Sequence, residues 1–155
     1  MTVAADVMFV NRIPFVVSVL RGVNLTMVEY FIQWLKTVLA NSIREIFQFY
    51  KNNGYTIKTF LMDREFECIC GSLPEEANLN TTAKNEIFTD IERKNCVIKE
   101  PSREVISTFP FNNTPGRIII EIIRFVGIWL NQEPSENGVS DVYSTRNIIM
   151  GKYLA

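Results

Sequence analysis

Three carboxylates and one lysine in this chain have the residue types for metal-assisted chemistry on phosphodiesters. Asp63 ends the apolar run of Lys58-Thr59-Phe60-Leu61-Met62-Asp63, and Glu65 follows two positions later. A buried strand of this kind delivers a carboxylate to the rim of a sheet, although an Asp in such a place is also a common turn former. Asp6 lies within the otherwise apolar Ala4-Ala5-Asp6-Val7-Met8-Phe9-Val10. An unpaired buried carboxylate is expensive, so Asp6 either starts a strand facing water or has a cation beside it. Glu92 borders the apolar Ile91, and Lys99 follows seven residues later, two turns along the same helical face. Three converging carboxylates suit two Mg²⁺ or Mn²⁺ ions, which need hard oxygen ligands and open positions for water and a bridged phosphate. Lys99 would hold a phosphate backbone beside them. A solvated helix face is the competing reading of Glu92 and Lys99.

The elements that must position these groups follow from hydrophobic period. Residues 4–20 read as two strands, one around Val7, Phe9 and Val10 and one over Phe15-Val16-Val17-Ser18-Val19-Leu20. Asn11-Arg12-Ile13-Pro14 is the expected turn between them. A third strand is expected over 26–32. Leu35, Val38, Leu39, Ile43, Ile46, Phe47 and Tyr50 recur at helical spacing over 34–53, and Asn53-Gly54 closes that helix. Its stripe of Trp34, Phe47, Phe49 and Tyr50 reads as core. Residues 55–62 then form the strand that delivers Asp63. A helix between two strands is the crossover that makes them parallel neighbours, which sets Asp6 beside Asp63.

A short helix over 65–73 and a short strand over 77–81 follow. Helical spacing resumes over 87–109, carrying Glu92 and Lys99. Packing that helix on the sheet would turn Glu92 toward the strand ends. Pro101 sits inside it, and a mid-helix Pro costs about 3 kcal/mol, so a kink or break is expected there. Pro115 opens the last strong helix, with Ile119, Ile122, Ile123, Val126 and Leu130 on its apolar face. Phe125 and Trp129, four apart, read as core, with a dimer contact as the alternative. Residues 1–131 make one domain and 132–155 an extended tail. An antiparallel meander followed by strand–helix–strand units gives an α/β fold, a five-stranded mixed sheet flanked by helices. That is the order of the ribonuclease-H-like fold.

Composition narrows the chemistry. A chain of 155 residues, 47% hydrophobic and 21% charged, suits one globular domain. Its net charge of -1 counts against nucleic-acid binding without excluding a local basic patch. There is no histidine, which removes Ser-His and Cys-His nucleophiles, His-ligated zinc and imidazole bases. Cys68, Cys70 and Cys96 form no CxxC pair, and they read as buried thiols in a reducing compartment. Neither end reads as a targeting segment, and the apolar run 118–130 contains Glu121 and Arg124 and is too short to span a bilayer. The expected location is intracellular and soluble.

Taken together, Asp6, the Asp63-Arg64-Glu65-Phe66 strand end and Ile91-Glu92-Arg93 resemble the Asp-Asp-Glu pattern of retroelement integrase catalytic cores, and Ty1/copia-type retrotransposon polyproteins most of all. Trp129-Leu130-Asn131, Asn137-Gly138-Val139-Ser140 and Ser144-Thr145-Arg146-Asn147-Ile148-Ile149-Met150-Gly151 resemble the segment that follows the core in those polyproteins. The resemblance implies a transposable-element protein acting in DNA integration. Asp6, Asp63 and Glu92 would bind two Mg²⁺ or Mn²⁺ ions for phosphodiester cleavage and strand transfer, with Lys99 as a DNA contact and Glu65 a supporting acid rather than a ligand. DNA would be the partner, with a homodimer as the assembly and the nucleus or a cytoplasmic particle as the location. The interval from Asp63 to Glu92 is shorter than in most integrases, and neither a zinc module nor a basic C-terminal domain accompanies the core. These departures suggest an excised fragment, active or decayed. Two other readings stay open: a non-catalytic remnant serving as an interaction module, and an unrelated Mg²⁺-dependent phosphohydrolase on a parallel sheet, which would lack the antiparallel meander.

Overall fold

A computed structural model of the chain describes residues 1–33, 35–75, 77–81, 84–136 and 138–151, with the side chains of 84–88 left aside. Trp34 of the aromatic stripe, Asn137 and the last four residues of the expected tail therefore lie outside the described residues. Strands β1 (Thr2–Val10), β2 (Ile13–Leu20) and β3 (Leu25–Tyr30) form the expected meander. The first turn is tighter than expected. Asn11 and Arg12 alone make it, at φ 48° and 66°, the left-handed pair that matches the twist of a two-residue hairpin, and Pro14 falls inside β2.

Helix α1 (Lys36–Asn52) then crosses over to β4 (Thr59–Met62), which lies parallel to β1 with Ala5 opposite Met62. Gly54, at φ 84°, turns the chain after α1. A 3-10 helix (Arg64–Ser72) leads to β5 (Asn78–Asn80), parallel to β4. Helices α2 (Lys84–Ser107), α3 (Gly116–Leu130) and α4 (Thr145–Met150) complete the described elements. The sheet order β3-β2-β1-β4-β5 is mixed and places β1 at the centre.

Alternation along β1 splits the core into two layers. Val3 and Ala5 face a cluster built with Leu39, Ile43, Ile46, Phe47 and Tyr50 of α1. Met8 and Val10 face the other cluster, with Ile91 and Ile98 of α2 and Ile119, Ile123 and Val126 of α3. Successive side chains of a strand point to opposite faces, so Asp6 shares the face of Met8 and Val10. Each large apolar side chain fully buried here contributes roughly 1.5–3 kcal/mol.

Four expectations need correction. Helix α2 runs through Pro101 without a break. Pro101 is on the exposed side, where water can take up the carbonyl that its missing N–H leaves free. The segment after Asn131 is not extended throughout. Ser144 caps α4 by accepting a hydrogen bond from the Asn147 N–H, and Ile149 enters the core beside α1. Phe125 and Trp129 are not core: they stack on each other at 6.2 Å on the outer face of α3, 65% and 59% exposed. The three thiols are exposed rather than buried.

Two contacts bring α3 close to the edge strand β3. Asn131 at the end of α3 donates from Nδ2 to the Thr26 carbonyl at 2.6 Å, and its Oδ1 accepts the Thr26 N–H at 3.0 Å. Gly127 lets the helix backbone approach: a Cβ there would stand 2.9 Å from Val28 Cγ2. Val28 is β-branched and has little rotamer freedom with which to yield. Gly127→Ala is therefore expected to lower stability by roughly 1–3 kcal/mol in urea unfolding, and an unchanged midpoint would contradict the close packing.

Candidate metal-binding acidic site

The parallel register sets the two aspartates. Ala5 pairs with Met62 at the end of the ladder, so the next residues along the chain, Asp6 and Asp63, lie close enough for the charge of Asp63 to act on Asp6. Asp63 leaves β4 and caps the 3-10 helix, its Oδ1 accepting the Arg64 N–H at 2.6 Å. The turn-forming role and the rim position are thus the same residue doing both. Phe66 and Ile69 anchor that 3-10 helix in the core and hold Asp63 in place.

Asp6 is half-buried within β1 and fully engaged by the protein. Its Oδ1 accepts the Val7 N–H at 2.8 Å, and its Oδ2 accepts from Asn95 Nδ2 at 3.0 Å. Burial pushes its carboxyl above the ordinary value of 3.8. The two hydrogen bonds pull the other way, while the charges of Asp63 and Glu65 push it up further. Two further acids, Asp63 and Glu65, thus lie near enough to act on Asp6. The sequence reading assigned Glu65 a supporting part, and its exposed position at the start of the 3-10 helix suits that.

Helix α2 meets Asp6 with a different residue from the one expected. Ile91, Asn95, Ile98 and Ser102 are buried, at the spacing of a single helical stripe. Glu92 lies off that stripe and is exposed. The structure brings Asp6 and Asp63 together and does not add Glu92 to them. Among the described residues no three His, Cys, Asp or Glu side chains form a group set to hold a metal ion. Asn95 is the residue that sequence reasoning missed. The available signal was a polar residue four after Ile91 and three before Ile98, on the face that the apolar period buries.

Lys99 is half-buried on α2, one turn beyond Asn95. Lys94 is also half-buried; burial holds its ammonium below the usual lysine value, with Asp90 opposing. Asp90 in turn lies 3.6 Å from Arg21 in the β2–β3 turn, which ties that turn to α2.

Two carboxylates and an amide are hard oxygen groups, the donor set that Mg²⁺ and Mn²⁺ prefer. Burial is the main reason Asp6 is raised, and the smaller push from Asp63 and Glu65 is the part that a divalent cation between the acids would relieve. By donor chemistry, Asp6 and Asp63 are the residues that would hold such an ion.

No family model matches the chain, and no curated protein matches it in sequence. Among solved structures it is similar to the crystal structure of the catalytic core domain of BIV integrase. The TM-score is 0.67 at 12% sequence identity, over 97% of this chain and 93% of that one. A likeness at that identity shows the fold: this chain has the five-stranded mixed sheet, flanked by helices, of the ribonuclease-H-like integrase core.

The raised Asp6 carboxyl has a consequence for stability. The folded protein holds the Asp6 proton to higher pH than the unfolded chain does, so this group's contribution falls as pH rises from about 3.8 through its folded value. Asp6→Asn is expected to raise the melting temperature of the metal-free protein at neutral pH. Its new amide donates to the Asn95 oxygen once that side chain turns. The gain should fade as pH is lowered toward 3.8. A loss of stability at neutral pH would contradict this account.

Proposed function

We propose that this chain is an integrase catalytic-core domain of a retroelement, of the Ty1/copia type, which cuts and joins DNA phosphodiesters with divalent metal. The observation that carries the reading is the pair of aspartates brought close by the parallel β1–β4 register, with a third acid near enough to raise Asp6. In this reading Asp6 and Asp63 hold Mg²⁺ or Mn²⁺. Glu92, exposed in this structure, would be the third ligand of a two-ion site. When bound, the metal supplies Lewis-acid activation of water or of a DNA 3′-hydroxyl and stabilises the departing oxygen.

The chain's own residues do the rest. The Val7 N–H fixes Asp6 Oδ1, and Asn95 Nδ2 holds Oδ2, the oxygen a ligand would share once that amide gives way. The Arg64 N–H fixes Asp63 in the same manner. Lys99, and Lys94 five residues before it, supply positive charge on the helix that reaches Asp6 and would neutralise a phosphate backbone. This local charge suits DNA despite the chain's net charge of -1.

A non-catalytic interaction module is the second reading, favoured by the exposure of Glu92. The antiparallel meander that begins the sheet argues against the phosphohydrolase on a parallel sheet. No helix among the described residues is long and apolar enough to cross a membrane. The integrase reading, rather than that absence, is what would put the protein in the nucleus or a cytoplasmic particle.

The assembly we favour is a homodimer through the exposed Phe125–Trp129 face of α3, where an open apolar groove of about 970 Å³ runs toward Val97 and Val105 of α2. Trp129→Glu is expected to halve the mass measured by sedimentation; a monomeric parent protein would remove the dimer.

The function itself is tested by Mn²⁺-dependent nicking and strand transfer on duplex DNA. Asp63→Asn should reduce either by on the order of 10²-fold or more, the scale of losing a charge stabiliser at a reacting phosphate. Equal signal from both proteins would leave the interaction module as the answer.

A further inference from the structure

The amide of Asn95 is satisfied on one side only. Its Nδ2 donates to Asp6 Oδ2, while its Oδ1 is buried with no hydrogen-bond partner. The residue is 8% exposed. A buried acceptor left without a donor costs roughly 1–3 kcal/mol, and an alanine or leucine on this helix face would avoid it. The groups acting on Asp6 from β4 and the 3-10 helix are the acids Asp63 and Glu65, which accept hydrogen bonds when ionised and have none to give. The end of the Asn95 amide that faces Asp6 is Nδ2, and the unpartnered Oδ1 is the end turned away from it.

We propose that Asn95 is itself a ligand of the divalent cation, through Oδ1. This rests on the reading that Asp6 and Asp63 hold that cation. The amide is planar, with ends of nearly equal size, so a half-turn about Cβ–Cγ exchanges Oδ1 and Nδ2 without moving α2. After the exchange Oδ1 faces Asp6 Oδ2 across the 3.0 Å now spanned by the hydrogen bond. Two oxygens facing each other at that distance repel unless a cation is shared. Adjacent oxygens around octahedral Mg²⁺, with bonds of about 2.0–2.1 Å, stand about 2.9 Å apart. The existing spacing therefore suits two neighbouring ligands of one ion. A neutral amide oxygen adds a ligand without a further negative charge beside a half-buried carboxylate that already has two acids near it. The same side chain orients Asp6 with its N–H before metal arrives and joins it with its oxygen afterwards.

The test is a Mg²⁺ titration of ¹³C,¹⁵N-labelled protein followed by NMR, with the Asn95 side-chain signals identified by their absence in Asn95→Ala. The expected result is a downfield move of the Asn95 carbonyl carbon that saturates together with the Asp6 and Asp63 carboxyl carbons. In melting experiments Asn95→Ala should need about tenfold more Mn²⁺ for the same stabilisation, the low end of losing a group that supports a metal site, and Asn95→Asp, which keeps the oxygen, should not. Saturating shifts at both aspartates with an unmoved Asn95 carbonyl would overturn the ligand and leave the metal site standing. No shift at any of the three would overturn the metal site as well.

Discussion

The parallel pairing of β1 with β4 is the constraint from which the rest of the site descends. Crossover through α1 makes the two strands run the same way, and pairing Ala5 with Met62 leaves Asp6 and Asp63 close together. That the two aspartates meet could not be read from the local sequence of either one. Two acids at adjacent strand positions repel, and the fold tolerates them because the β1 and 3-10 backbones each donate an N–H to one carboxylate. The apolar layers on both faces of β1 are thick enough to hold this unfavourable pairing in register.

Most of the fold was legible in the sequence because it rests on period. The alternation in residues 4–20, the helical spacing over 34–53 and the glycine after it, and the run into Asp63 each have a local cause that tertiary packing did not override. The sheet order follows from them once the crossover is parallel. The site was legible only as far as the strands carry it. Asp63 stands at the rim as its sequence indicates. On α2 the relevant quantity is rotation about the helix axis, and a residue beside an apolar position is about 100° away from it. Glu92, next to Ile91, therefore faces solvent, and Asn95, a full turn on, faces Asp6. The buried stripe was readable, but a neutral amide within it did not stand out beside a carboxylate with an obvious chemistry.

The remaining departures have a common cause, which is that composition does not say which side of a helix is covered. Phe125 and Trp129 are as apolar as Ile119 and Ile123, yet sit on the opposite side of α3. Cys96 lies one position past buried Asn95 and is exposed. Pro101 is tolerated in α2 because it occupies the outer side, where its missing donor has no packing consequence. The tail after Asn131 holds a helix because Ile149 finds space against α1, a partner distant in sequence.

Asn131 fastens α3 to β3 by offering one amide to both backbone groups of Thr26. That geometry is the one a neighbouring strand would present, and β3 is the last strand on its side of the sheet. The side chain thus occupies a docking position that another extended chain would otherwise find open. Unpaired strand edges invite growth by strand addition, which ends in tangled assemblies and fibrils. A single asparagine at a helix terminus closes the sheet at Thr26, and so bears on solubility as much as on folding.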